Sequence, residues 1–145
     1  MSGNHKSTSN HNREVLTKDL GLNQQKNSSV FENEDFFVLS PSVQNKINWF
    51  DLRKINLDKK PEKKKGLLII RLFDKFILID LKKISNDLLD DEPYETKNSG
   101  IHWKFHIRTD KKGQSYILNM RSKKRFDVKK IDKDELLSTA KHYYK

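Results

Sequence analysis

Residues 67–83, LLIIRLFDKFILIDLKK, restrict the fold more than any other stretch of the chain. Large aliphatic and aromatic residues fill two strand-length runs separated by the charged dipeptide Asp74-Lys75, which reads as an antiparallel hairpin with a two-residue turn. With Asp74-Lys75 at the tip, Phe73 faces Phe76 and the register follows. One face then carries Leu68, Ile70, Leu72, Ile77, Ile79 and Leu81, and the other mixes Leu67, Ile69, Phe73, Phe76 and Leu78 with Arg71, Asp80 and Lys82. Such a mixture reads as partly covered rather than freely solvated.

A second hairpin follows at residues 101–121, IHWKFHIR-TDKKGQ-SYILNMR, with Gly113 in its turn. Alternation is strict: Ile101, Trp103, Phe105 and Ile107 point one way, His102, Lys104, His106 and Arg108 the other. The return strand sets Tyr116, Leu118 and Met120 on one face. Ahead of the first hairpin, Ser40-Pro41 reads as an N-cap with proline at the first helical position, and Val43, Ile47 and Phe50 recur at helical spacing. These predict a short helix over about 41–52, with Trp49 at the border of its apolar face. Asp132 reads as the N-cap of a closing amphipathic helix over about 132–144, where Leu136, Ala140 and Tyr143 share a face and Asp134 and Glu135 suit the first turn. The segment 85–100 reads as an acidic loop opening with at most one helical turn. Residues 1–30 are mostly polar, with scattered Val and Leu, and read as a flexible tail. The expected architecture is α+β: one antiparallel sheet of two hairpins, a helix on either side of it in sequence, and a single basic domain spanning 31–145.

A chain of 145 residues, 34% hydrophobic, suits one such domain with a modest core. The absence of cysteine excludes disulfides, thiolate metal sites and zinc fingers. No apolar run approaches the ~20 residues of a spanning helix, and the first residues lack the apolar stretch of a signal peptide, so an intracellular protein, cytoplasmic or nuclear, is expected. The net charge is +10, and all of the excess lies beyond residue 50: the first 50 residues hold five basic and five acidic side chains, the remainder 25 and 15. A field of that sign attracts nucleic acid, an anionic headgroup or an acidic protein.

The candidate site is a basic stripe. His102, Lys104, His106 and Arg108 occupy successive outward positions, Lys111 and Lys112 sit in the turn, and Arg121, Lys123, Lys124 and Arg125 follow the return strand. Same-face residues on a strand lie about 6.6 Å apart, comparable with successive phosphates of a nucleic-acid strand. The plainer reading is a solvated face in a lysine-rich chain. Exposed aromatic rings beside the stripe would favour nucleic acid; Trp103 and Phe105 lie on the apolar face and read as core, which leaves Trp49, Tyr143 and Tyr144 as ring candidates.

Catalytic patterns are weaker. Asp80-Leu-Lys82 resembles half of the PD-(D/E)xK nuclease motif, but Asp74, the nearest upstream acid, lies roughly 20 Å of extended chain away. Arg71, Asp80 and Lys82 read instead as a cross-strand ion-pair set. His102 and His106 invite a metal-independent ribonuclease reading, yet about 13 Å of strand separates them, so one histidine with Lys104 or Arg108 would have to act. There is no phosphate-cradling glycine loop, and neither cofactor nor metal is implied. The leading expectation is a non-catalytic protein that binds the DNA or RNA backbone. An adaptor for an acidic protein or anionic headgroup is the alternative, and a small nuclease comes third.

Overall fold

The computed structural model describes residues 12–26, 28–43, 48–89 and 93–142. Its strands are β1 (Asn23–Gln24), β2 (Val30–Glu32), β3 (Phe36–Leu39), β4 (Trp49–Arg53), β5 (Lys65–Arg71), β6 (Phe76–Asp80), β7 (Tyr94–Thr96), β8 (Gly100–Thr109), β9 (Ser115–Asn119) and β10 (Arg125–Asp127). A π-helical turn (Val15–Asp19) precedes them, and three helices, α1 (Lys54–Leu57), α2 (Leu81–Leu88) and α3 (Lys133–Lys141), lie between or after them. The fold is α+β, as the sequence implies, but the two hairpins belong to different sheets. One sheet runs β1-β2-β3-β5-β6; the other runs β10-β9-β8-β4, with β7 also paired to β8. In the first sheet β3 and β5 are parallel, so it is mixed rather than purely antiparallel. None of the described helices is long and apolar enough to cross a membrane.

The first hairpin explains this arrangement. Leu68, Ile70, Leu72, Ile77 and Ile79 share a core with Phe50 and Leu52 of β4, Trp103, Phe105 and Ile107 of β8, and Leu81, Ile84 and Leu88 of α2. On the opposite face Leu67, Ile69 and Phe76 pack with Val15, Leu16, Leu22, Ile131 and Leu136. The first sheet is therefore a middle layer, covered by the second sheet on one side and by the N-terminal segment and α3 on the other. A strand buried on both faces is apolar at every position, which is what residues 67–70 spell.

Several expectations need correction. The hairpin turn is Phe73-Asp74, closed by a Leu72 N–H donating to the Lys75 carbonyl at 2.8 Å, and not Asp74-Lys75. Moving the turn by one residue shifts the pairing sum by two, so Arg71 faces Phe76 while every residue keeps its face. The second run also stops early. Asp80 ends β6 and caps α2, accepting from the Lys82 backbone N–H, and its carboxylate pairs with Lys65. Burial raises the Asp80 carboxyl, but the Lys65 and Lys82 hydrogen bonds and charges outweigh it and hold it below its ordinary value. Arg71 lies four residues along the hairpin from that pair, so the proposed Arg71-Asp80-Lys82 set does not form. Its guanidinium instead enters the core, donating to the Ser40 carbonyl at 2.8 Å and lying 5.4 Å from the Phe31 ring centroid. Burial first, and then the charge of Arg13, lower its pKa to about 10.

The helix expected over 41–52 is absent where the chain is described; residues 44–47 lie outside the described residues. Pro41 and Val43 bond to Arg71 and prolong the parallel pairing, and Trp49–Arg53 is the strand β4, alternately exposed and buried. Val43 and Phe50 fit a helical period, but Phe50 and Leu52 fit a strand period equally well, and the edge of β8 decides between them. The flexible-tail reading of residues 1–30 also extends too far. Val15, Leu16 and Leu22 are buried, and the buried Asn12 side chain donates to the Leu72 carbonyl at 2.6 Å; residues 1–11 lie outside the described residues. The closing helix forms with Asp132 as its N-cap, accepting from the Glu135 N–H at 2.8 Å, and is described through Lys141.

Leu16 is fully buried beneath the first sheet. Leu16→Ala is expected to cost about 2–5 kcal/mol, lowering the thermal midpoint by roughly 5–15 °C. A midpoint unchanged within a degree or two in calorimetry would return this segment to the status of a tail.

Candidate nucleic-acid interface

The second sheet buries one face against the first and turns the other outward. Four cross-strand rows cover that outer face. Arg53, His102 and Tyr94 form one row, and Asp51 and Lys104 the next. Trp49, His106, Leu118 and Arg125 form the third, and Arg108, Tyr116 and Asp127 the fourth. The alternation of β8 is the cause: Trp103, Phe105 and Ile107 are buried in the core, so Lys104, His106 and Arg108 stand outward. The alternation of β4 adds Trp49, Asp51 and Arg53 to the same face.

Cations and rings touch throughout this surface. The Trp49 and His106 ring centroids are 4.9 Å apart, and Arg108 Nε donates to His106 Nδ1 at 2.7 Å, so the ring hydrogen of His106 sits on Nε2. Arg125 lies 4.0 Å from the Tyr116 ring centroid, and Lys104 and Arg121 lie 5.4 and 5.2 Å from that of Tyr94. Contacts of this kind fix each cation beside an aromatic plane. Trp49 keeps 36% of its surface exposed.

The ten side chains singled out from sequence divide unequally. Lys104, His106 and Arg108 lie on the outer face as expected. His102 points the same way but is only 2% exposed: β7 pairs beside it, Tyr94 stacks on its ring at 5.9 Å, and its Nδ1 is 2.9 Å from the Gly100 carbonyl oxygen. It is a structural residue rather than a contact residue. Arg121 joins the face through Tyr94, whereas Lys123 and Lys124 are exposed on the tight β9–β10 turn, which Asn119 organises by accepting from the Arg121 and Ser122 N–H groups. Lys111 and Lys112 are exposed at the far tip, where Asp110 accepts from the Lys112 and Gln114 N–H groups and Gly113 adopts φ +84°. Arg125 donates at 2.7 Å to both Asp110 and Asp127. Its hydrogen bond to Asp110, with the Gln114 and Lys112 N–H groups, holds that carboxyl below its ordinary value despite the opposing effect of desolvation.

Sequence reasoning missed Arg53 and Tyr94 and left Tyr116 without a role; the period-two pattern of Trp49–Arg53 was the available signal for the first. Of the proposed rings, Trp49 is on the face, Trp103 and Phe105 are core as expected, and Tyr143 and Tyr144 lie outside the described residues. Beyond β4 the face continues into an open polar groove of about 560 Å³ lined by Lys26, Ser28, Ser29, Pro41, Asp51, Arg53 and Asn56. Compared with protein-family models, curated proteins and solved structures, the chain matches none, so its function is argued from this face alone.

Arg125→Ala removes the largest cause of the Asp110 shift. Carboxyl NMR titration is expected to find Asp110 below the ordinary aspartate value in the parent and higher in the variant. An unchanged titration would mean that the pair does not form in solution.

Proposed function

We propose that the outer face of the second sheet binds nucleic acid through its phosphate backbone, without catalysing a reaction. The observation that carries this reading is the interleaving on one surface of Arg53, Lys104, Arg108, Arg121 and Arg125 with the rings of Trp49, Tyr94, His106 and Tyr116. An anionic headgroup would meet the same charge but would make little use of the rings, whereas nucleic acid presents both phosphates and π-faces. Sequence selectivity should be low. Reading bases bidentately needs an uncommitted guanidinium fork, and two of the four guanidiniums on this face are already engaged, Arg125 by two carboxylates and Arg108, through Nε, by His106. The divalent-metal alternative gains little support, since Asp80 is committed to capping α2 and to Lys65; burial of His102 leaves the ribonuclease alternative only His106 beside Arg108. The reading places the protein inside the cell.

Affinity for labelled oligonucleotides is expected to fall steeply and linearly with log salt. Lys104→Ala with Arg108→Ala should weaken binding by about tenfold or more, while Lys59→Ala with Lys63→Ala, exposed lysines of the β4–β5 connection, should have a small effect at the same loss of charge. Equal effects from the two pairs, or binding that ignores salt, would contradict the proposal.

A further inference from the structure

We infer that the nucleic acid held by this face is single-stranded, its bases stacking on Trp49 and on the tyrosine–cation pairs at Tyr94 and Tyr116; this rests on the nucleic-acid reading above. A duplex presents phosphates and groove edges but keeps its base planes stacked inside, so it would use only the charges. A single strand offers the base planes as well, and base stacking on aromatic or guanidinium planes is the contact that exposed rings supply.

The placement of the rings fits such a strand. Trp49 stands on the edge strand β4 with His106 beside it, giving an indole surface extended by an imidazole at 4.9 Å. Tyr116 lies two strands across and one row along, which strand geometry puts about 12 Å away; Tyr94 lies at the other end of the face, about 16 Å from Trp49. Lys104 and Arg108 stand between the rings, where the phosphates of a strand stacked on them would pass. The span suits about four to six nucleotides. Duplex readers, by contrast, commonly lay a helix in the major groove. Among the described residues α1 is a single turn, while α2 and α3 place their apolar sides in the two cores, so the open sheet face rather than a helix meets the ligand.

The test uses fluorescently labelled oligo(U), oligo(dT) and a DNA duplex, each of about 12 nucleotides or base pairs, at one fixed salt concentration. The single strands are expected to bind at least about tenfold tighter than the duplex and to quench tryptophan emission, which the duplex should leave unchanged; tighter binding of oligo(U) than oligo(dT), or the reverse, identifies RNA or DNA as the natural form. Trp49→Ala should lose about tenfold on single strands and less than about twofold on the duplex, and Trp49→Phe should recover most of the loss. Equal affinity for all three probes, no quenching, and equal losses in Trp49→Ala would overturn the single-strand inference and leave the phosphate-binding proposal intact. Absence of binding to every probe at low salt would overturn both.

Discussion

Burial of both faces of the β5–β6 hairpin is the constraint on which the rest of the molecule depends. Leu67, Leu68, Ile69 and Ile70 are consecutive and almost fully buried, and each such side chain is worth about 1.5–3 kcal/mol. Consecutive residues point to opposite sides of a strand, so two separate covers are required. The second sheet supplies one; the N-terminal turn and α3 supply the other. Once the second sheet has turned one face to this task, its other face is left to solvent, and basic and aromatic side chains collect there.

That dependence separates what was legible in the sequence from what was not. Period-two alternation in residues 101–108 correctly assigned the core and outer sides of β8, because the alternation reflects one buried and one open face. The hairpin faces survived an incorrect turn because the error moved the pairing by an even number. Burial of Val15, Leu16 and Leu22 was not legible, since a few apolar residues in a polar segment gain their value only from the uncovered sheet they meet. The stretch 49–53 was misread because five residues contain too little pattern to separate a helical from a strand period, and a long-range partner made the choice.

The same distinction holds at the candidate site. Outward direction was readable from sequence, but accessibility was not: β7, in the preceding segment that reads as an acidic loop, pairs beside His102 and leaves it packed rather than open. Paired charges were hidden as well. Asp110 approaches Arg125 only because the β8–β9 turn and β10 meet at one corner of the sheet, whereas Asp127 lies two residues along the same strand. What folding adds is the ring component, bringing Trp49, Tyr94 and Tyr116 from three separate strands onto the basic face.

We propose that ligand binding is confined to this one open sheet face, because both faces of the other sheet are covered. Chemical-shift mapping with a short single-stranded oligonucleotide is the sharpest test. The largest perturbations are expected at the Trp49 indole and at Tyr94, Lys104, His106, Arg108 and Tyr116, with β5 and β6 unaffected. Perturbations centred on the lysines of residues 59–65, or spread evenly over all exposed lysines, would contradict it.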